Sequence, residues 1–131
     1  MSDYRGTHTA PTDDGYSVPL DSLSDHTADV YERPQDHHGG DDTETMVAVL
    51  SARGNPHARV TIYRAVPHGV TAINAGDWVS LSEGYARDHG DTEGMTVLRA
   101  TVRARQVWWD GNSLYEYGYG GPDTEGREEI G

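Results

Sequence analysis

The chain contains no cysteine, no lysine and no phenylalanine among its 131 residues. Without cysteine there is no disulfide framework, no thiolate metal site and no thiol nucleophile. Without lysine every permanent cation is an arginine; this fits a GC-rich coding sequence, and no chemistry follows from it. Without phenylalanine the aromatic bulk of any core must come from the three tryptophans and eight tyrosines. No apolar run approaches the ~20 residues of a membrane-spanning helix. The opening Met1-Ser2-Asp3-Tyr4-Arg5 has neither the basic nor the apolar region of a secretory signal, so action in a cytoplasm is the default expectation.

Acidity is the strongest compositional feature, with a formal net charge of −12. It is unevenly spread. Residues 1–45 carry eleven Asp or Glu against two Arg, residues 46–121 carry seven of each, and residues 122–131 carry four acids and one Arg. A halophilic surface would be acidic throughout, so that class does not fit. No basic stripe is present, which argues against direct nucleic-acid binding. The segregation divides the chain into an acidic, largely extended N-terminal arm over 1–45, a compact domain over 46–121 and a flexible acidic tail over 122–131. Within the arm, residues 1–17 are polar and aperiodic and read as disordered. Leu20, Leu23, Val30 and Tyr31 are placed to lay the rest of the arm across the domain, unless the whole arm is disordered. His37-His38 stand among acids in a surface loop, but adjacent histidines do not share a helix face and nothing nearby completes a metal shell. No metal site is expected.

The domain reads as α+β, mostly antiparallel. Met46–Ala52 is too short to separate strand from helix by periodicity. Ala58–Tyr63 is rich in β-branched and aromatic residues and reads as a strand ending at Arg64. Asp77–Ser82 reads as a second, with Trp78, Ser80 and Ser82 on one face. Ser82 is placed to cap a helix opening at Glu83 and stopped by Gly90. Met95–Arg103 alternates as a good strand. Asp110-Gly111-Asn112-Ser113 is a turn signal, and Leu114–Tyr119 reads as a last strand with Glu116 opposite the tyrosines.

Three strands thus supply, in order, a cation (Tyr63-Arg64), a hydroxyl pair (Ser80-Leu81-Ser82) and a carboxylate (Glu116). On these residues the chain resembles the mono-ADP-ribosyltransferase fold in its arginine–serine–glutamate form. More narrowly, YRAVP, GDWVSLSEGYARDHG and WWDGNSLYEYGY resemble small bacteriophage-encoded ADP-ribosyltransferase-like proteins, over about residues 58–120. The resemblance implies a two-sheet domain that binds NAD between its sheets and transfers ADP-ribose to a host macromolecule, most simply a protein. It implies that Glu116 stabilises the oxocarbenium-like transition state, that Arg64 holds phosphate or ribose oxygens, and that Ser80 holds the wall of the site. It further implies that Tyr63 and Ser82 support the dinucleotide and that Trp78, Tyr85 or Tyr117 stacks on nicotinamide. Leu114 stands where arginine-modifying members carry a second acid, which points to another acceptor. A catalytically degenerate, binding or virion-associated version of the fold is the alternative. Residue by residue, Arg64 could instead pair with Asp77 or Glu116, and the tryptophans could be packing.

Overall fold

The structure, a computed structural model, describes residues 10–90 and 94–128. The expectations for residues 1–9, 91–93 and 129–131 lie outside the described residues. The fold is α+β, and every strand pairing among the described residues is antiparallel.

The framework is a ribbon of two nine-residue strands, β2 (Arg59–Pro67) and β5 (Met95–Arg103). They pair from Arg59 opposite Arg103 to Pro67 opposite Met95. Their β-branched residues suit a pleated surface, and Val60, Ile62, Arg64 and Val66 of β2 alternate to the buried face. A short β9 (Arg127–Glu128) extends this sheet beyond β5. The second sheet runs β1 (Val18–Pro19), β6 (Val107–Trp109), β7 (Tyr117–Tyr119), β4 (Trp78–Val79) in that order. One bridge joins β2 to the second sheet's chain: Tyr63 and Ser80 exchange backbone hydrogen bonds, both 2.9 Å long. A two-stranded pair, β3 (Ala72–Ile73) with β8 (Thr124–Glu125), completes the strand inventory of the described residues.

Met46–Ala52 is helix. It belongs to α1 (Thr43–Ala52), which starts three residues earlier because the Asp42 carboxylate accepts from both the Thr45 amide, at 2.9 Å, and the Thr45 hydroxyl, at 2.7 Å. Met46, Val49 and Ala52, spaced by threes, face the core. The second helix, α2 (Glu83–Gly90), lies against the ribbon with Ala86 buried. No helix among the described residues is long and apolar enough to cross a membrane.

The N-terminal arm packs onto the domain through the four apolar residues named above. Leu20, Leu23 and Val30 are fully buried, Tyr31 nearly so, and all four share one core cluster with Ile62, Trp109, Leu114, Tyr117 and Tyr119. Residues 20–25 are a 3₁₀ segment, so the arm is not simply extended, and β1 is a strand of the second sheet. The end segment likewise pairs through β8 and β9. Charge is a property of the surface. The arm's acids sit outside while its few apolar residues go in, so charge segregation does not mark a packing boundary.

Trp109 and Tyr117 are fully buried and fill the space that phenylalanine would. Beside Tyr117, Gly118 lets the N-terminal segment cross the sheet: a Cβ there would lie 1.7 Å from the Pro11 carbonyl oxygen. Gly118→Ala is therefore expected to cost about 1–3 kcal/mol by overpacking. Denaturant midpoints should show that loss in the full chain and recover most of it when residues 1–12 are deleted. An equal loss in both backgrounds would place the clash elsewhere.

Candidate functional site

The bridge between Tyr63 and Ser80 stands where β2 meets the segment that follows β4, and α2 lies beside the seam. A cavity of about 190 Å³ opens there. It is lined by Tyr63, Arg64 and Ala65 of β2, by Trp78, Val79 and Ser80, by Tyr85 and Ala86 of α2, and by Glu116. Six of the residues singled out from the sequence thus meet in one place: Tyr63, Arg64, Trp78, Ser80, Tyr85 and Glu116.

Two others do not. Ser82 is buried away from the cavity, and its hydroxyl accepts the Tyr85 amide at 3.1 Å, capping α2. The same helix start receives a second cap, because the Glu83 amide donates to the Glu44 carboxylate at 3.0 Å. Tyr117 is fully buried in the core and offers no ring to a ligand; burial pushes its phenol pKa up.

Arg64 is buried, 8% exposed, and two of its nitrogens are engaged by protein oxygens. Nη1 donates to the Trp78 carbonyl at 2.6 Å, and Nε lies 3.5 Å from the carboxylate of Asp77, itself 1% exposed. Asp77 in turn accepts the Asn74 amide at 2.7 Å. Arg64 thus pairs with Asp77, one of the two acids named above, and the pair braces β2 against the start of β4. Ser80 spends its hydroxyl proton on the Ser82 carbonyl, at 2.9 Å. It holds the shape of the cavity wall and keeps its lone pairs as acceptors.

Glu116 is not on a strand. The expected strand over 114–119 shortens to Tyr117–Tyr119 because Ser113 builds a turn in front of it. The Ser113 hydroxyl accepts the Tyr115 amide at 3.1 Å, and its carbonyl accepts the Trp109 indole N–H at 3.0 Å and the Glu116 amide at 3.3 Å. Leu114 is thereby buried in the core, Tyr115 is half-buried and Glu116 stands exposed at the cavity rim. Its carboxylate accepts a hydrogen bond from Tyr85. Burial, reinforced by that carboxylate, pushes the Tyr85 phenol up to about 12. Tyr85 therefore stays neutral, and a donor to Glu116, across the physiological range.

A buttress that sequence reasoning missed stands behind Tyr85. Tyr115 stacks on it with ring centres 4.4 Å apart and planes 9° from parallel. His38 meets the Tyr115 ring edge-on at 5.4 Å, and its Nδ1 lies 3.0 Å from the Ser113 hydroxyl. Gly39 leaves room: a Cβ there would touch the Tyr115 ring at 3.0 Å. The His37-His38 loop, read as solvated, thus supports the turn that carries Glu116. His37 approaches Asp29 at 3.0 Å, and no group of metal-ligating side chains occurs among the described residues.

No family model matches this chain, and neither any curated protein nor any solved structure matches it.

Chemically, the site offers a carboxylate at the rim, a buried guanidinium, the Ser80 hydroxyl in its wall and two aromatic side chains, Trp78 and Tyr85. The cavity is below the roughly 300–1,000 Å³ of a whole small-molecule site. It accommodates one ring and its immediate substituents, with a larger ligand extending past the rim.

Proposed function

We propose that the protein is an NAD-dependent mono-ADP-ribosyltransferase of bacteriophage type, acting on a host macromolecule. The observation that supports this most directly is the convergence of Arg64, Ser80 and Glu116, from three separate segments, on one cavity with aromatic walls. The cavity's size suits the nicotinamide end of the dinucleotide. Trp78 or Tyr85 offers the face on which that ring lies, and the phosphates and adenosine extend outside. Arg64 sits at the cavity wall with its fork held by Asp77 and Trp78. Glu116, oriented by Tyr85, faces the ribose, where its charge opposes the positive charge that grows as the nicotinamide bond lengthens. Ser80 keeps the β2–β4 junction closed behind them. Leu114, buried in the core, supplies no second acid, so the acceptor is not expected to be arginine.

The test is incubation of the purified protein with labelled NAD, with and without bacterial lysate. Release of nicotinamide and transfer of label support the reading, and neither would be seen from a pure binding module. Such a module is the second reading, and one observation favours it: Arg64 and Ser80 both donate to protein oxygens. Arg64→Lys keeps the charge near Asp77 but loses the fork. NAD affinity by calorimetry is expected to fall about tenfold, the worth of one charged hydrogen bond. Unchanged affinity would remove Arg64 from ligand contact and leave it a strut.

A further inference from the structure

Toward the Arg59 end of the β2–β5 ribbon, a second recess of about 440 Å³ is lined by Arg59, Thr101, Arg103, Gln106, Tyr119 and Thr124 among others. Arg59 and Arg103 are direct register partners on adjacent strands. Like charges placed opposite each other across a ladder are destabilising. The chain has 22 acidic residues with which to neutralise them. Yet among the described residues neither arginine pairs with a carboxylate; the ion pairs there belong to Arg33, His37, Arg53, Arg64 and Arg87. Arg103 is instead steadied by its Nη1 hydrogen bond to the His57 carbonyl, at 2.8 Å. Gln106 commits its side-chain oxygen to the Arg103 amide at 2.9 Å, which leaves its amide nitrogen as a donor at the recess. Among the described residues no carboxylate lines the recess. Its cations, amide and hydroxyl groups are the complement of a phosphate, whose oxygens match the guanidinium fork.

We propose that this recess binds a small phosphorylated ligand of nucleoside-diphosphate size, its phosphates held between Arg59 and Arg103. The volume falls within the range for small-molecule sites. A compact ligand fits better than a nucleic-acid chain, because a net charge of −12 repels a long polyanion. The site is separate from the Glu116 cavity, and the proposal does not depend on NAD turnover.

Calorimetry with pyrophosphate and with ADP, on the full chain at low ionic strength, tests it. Affinity for both is expected to fall about tenfold for each arginine removed in Arg59→Ala and in the double variant R59A/R103A. The free double variant should melt no lower than the parent, since the repulsion is relieved, while the ligand-induced rise in melting temperature disappears. Glu116→Gln should leave pyrophosphate binding unchanged. Absence of binding by the parent, or equal binding by the double variant, overturns the proposal. A short single-stranded oligonucleotide binding more tightly than ADP overturns the assignment to a small ligand.

Discussion

Glu116→Gln is expected to slow nicotinamide release from NAD about 10²-fold or more, while NAD affinity stays within a factor of two or so of the parent. The amide keeps the shape of the carboxylate, and its oxygen still accepts from Tyr85, so the rim geometry survives. What disappears is the charge, which matters most when the ribose becomes cationic. A preorganised electrostatic partner is typically worth 10²–10³ in turnover, and a hundredfold corresponds to about 2.7 kcal/mol of barrier. Because Glu116 is exposed, folding stability should move by no more than about 0.5 kcal/mol. Melting temperature, NAD affinity and turnover measured on this variant separate a catalytic carboxylate from a solvated one. Unchanged turnover would take Glu116 out of the mechanism and favour the binding module.

Asp77→Ala is expected to be among the most destabilising single changes in the chain, at about 3–5 kcal/mol. Asp77 is 1% exposed and Arg64 8% exposed, so removing the acid leaves a guanidinium buried without its counter-charge. The Asn74 amide also loses its acceptor. At about 2–4 °C per kcal/mol for a chain near this size, the melting temperature should fall by roughly 6–20 °C. Asp77→Asn keeps a side-chain oxygen for Asn74 and should still show most of the loss, since charge is the main term. Replacing the pair together, as D77A/R64M, should recover much of the stability, because a buried ion pair replaced by apolar groups is often neutral. A fall of less than about 1 kcal/mol in Asp77→Ala would mean that Arg64 reaches water or another anion, and the brace between β2 and β4 would lose its meaning.

What could be read from the sequence follows the range of the interactions concerned. The β2–β5 ribbon shows as alternation along each strand, and the Ser82 cap shows as a local hydroxyl before a helix; both are written within a few residues. The limits of the last strand were not legible, because the turn at Ser113 is set by one hydroxyl and one indole N–H rather than by periodicity. The start of α1 carried a cap signal in Asp42-Thr43-Glu44-Thr45, masked by the surrounding acidic loop. Arg64, Ser80 and Glu116 could be placed in order along the chain, but their meeting depends on the Tyr63–Ser80 bridge. Tyr115 and His38 gave no usable signal at all, since their contact joins segments that nothing in either stretch pairs. The opposition of Arg59 and Arg103 is likewise a product of register, and the even charge balance of the middle of the chain conceals it.

The pairing of β1 with β6 joins segments about ninety residues apart in the chain. Val18 lies opposite Trp109, and core residues from Leu20 to Val107 lie between them in the chain. During synthesis the N-terminal segment emerges long before its partner strand exists. Local contacts can form helix α1 early, but the second sheet must wait for nearly the whole chain, the situation that slows folding and exposes unpaired strands to neighbours. The acids that crowd residues 1–45 are well suited to that interval. Asp21, Asp25 and Asp29 stand between Leu20, Leu23, Val30 and Tyr31, and charges interspersed in this way disfavour association of apolar segments while their partner strand is missing.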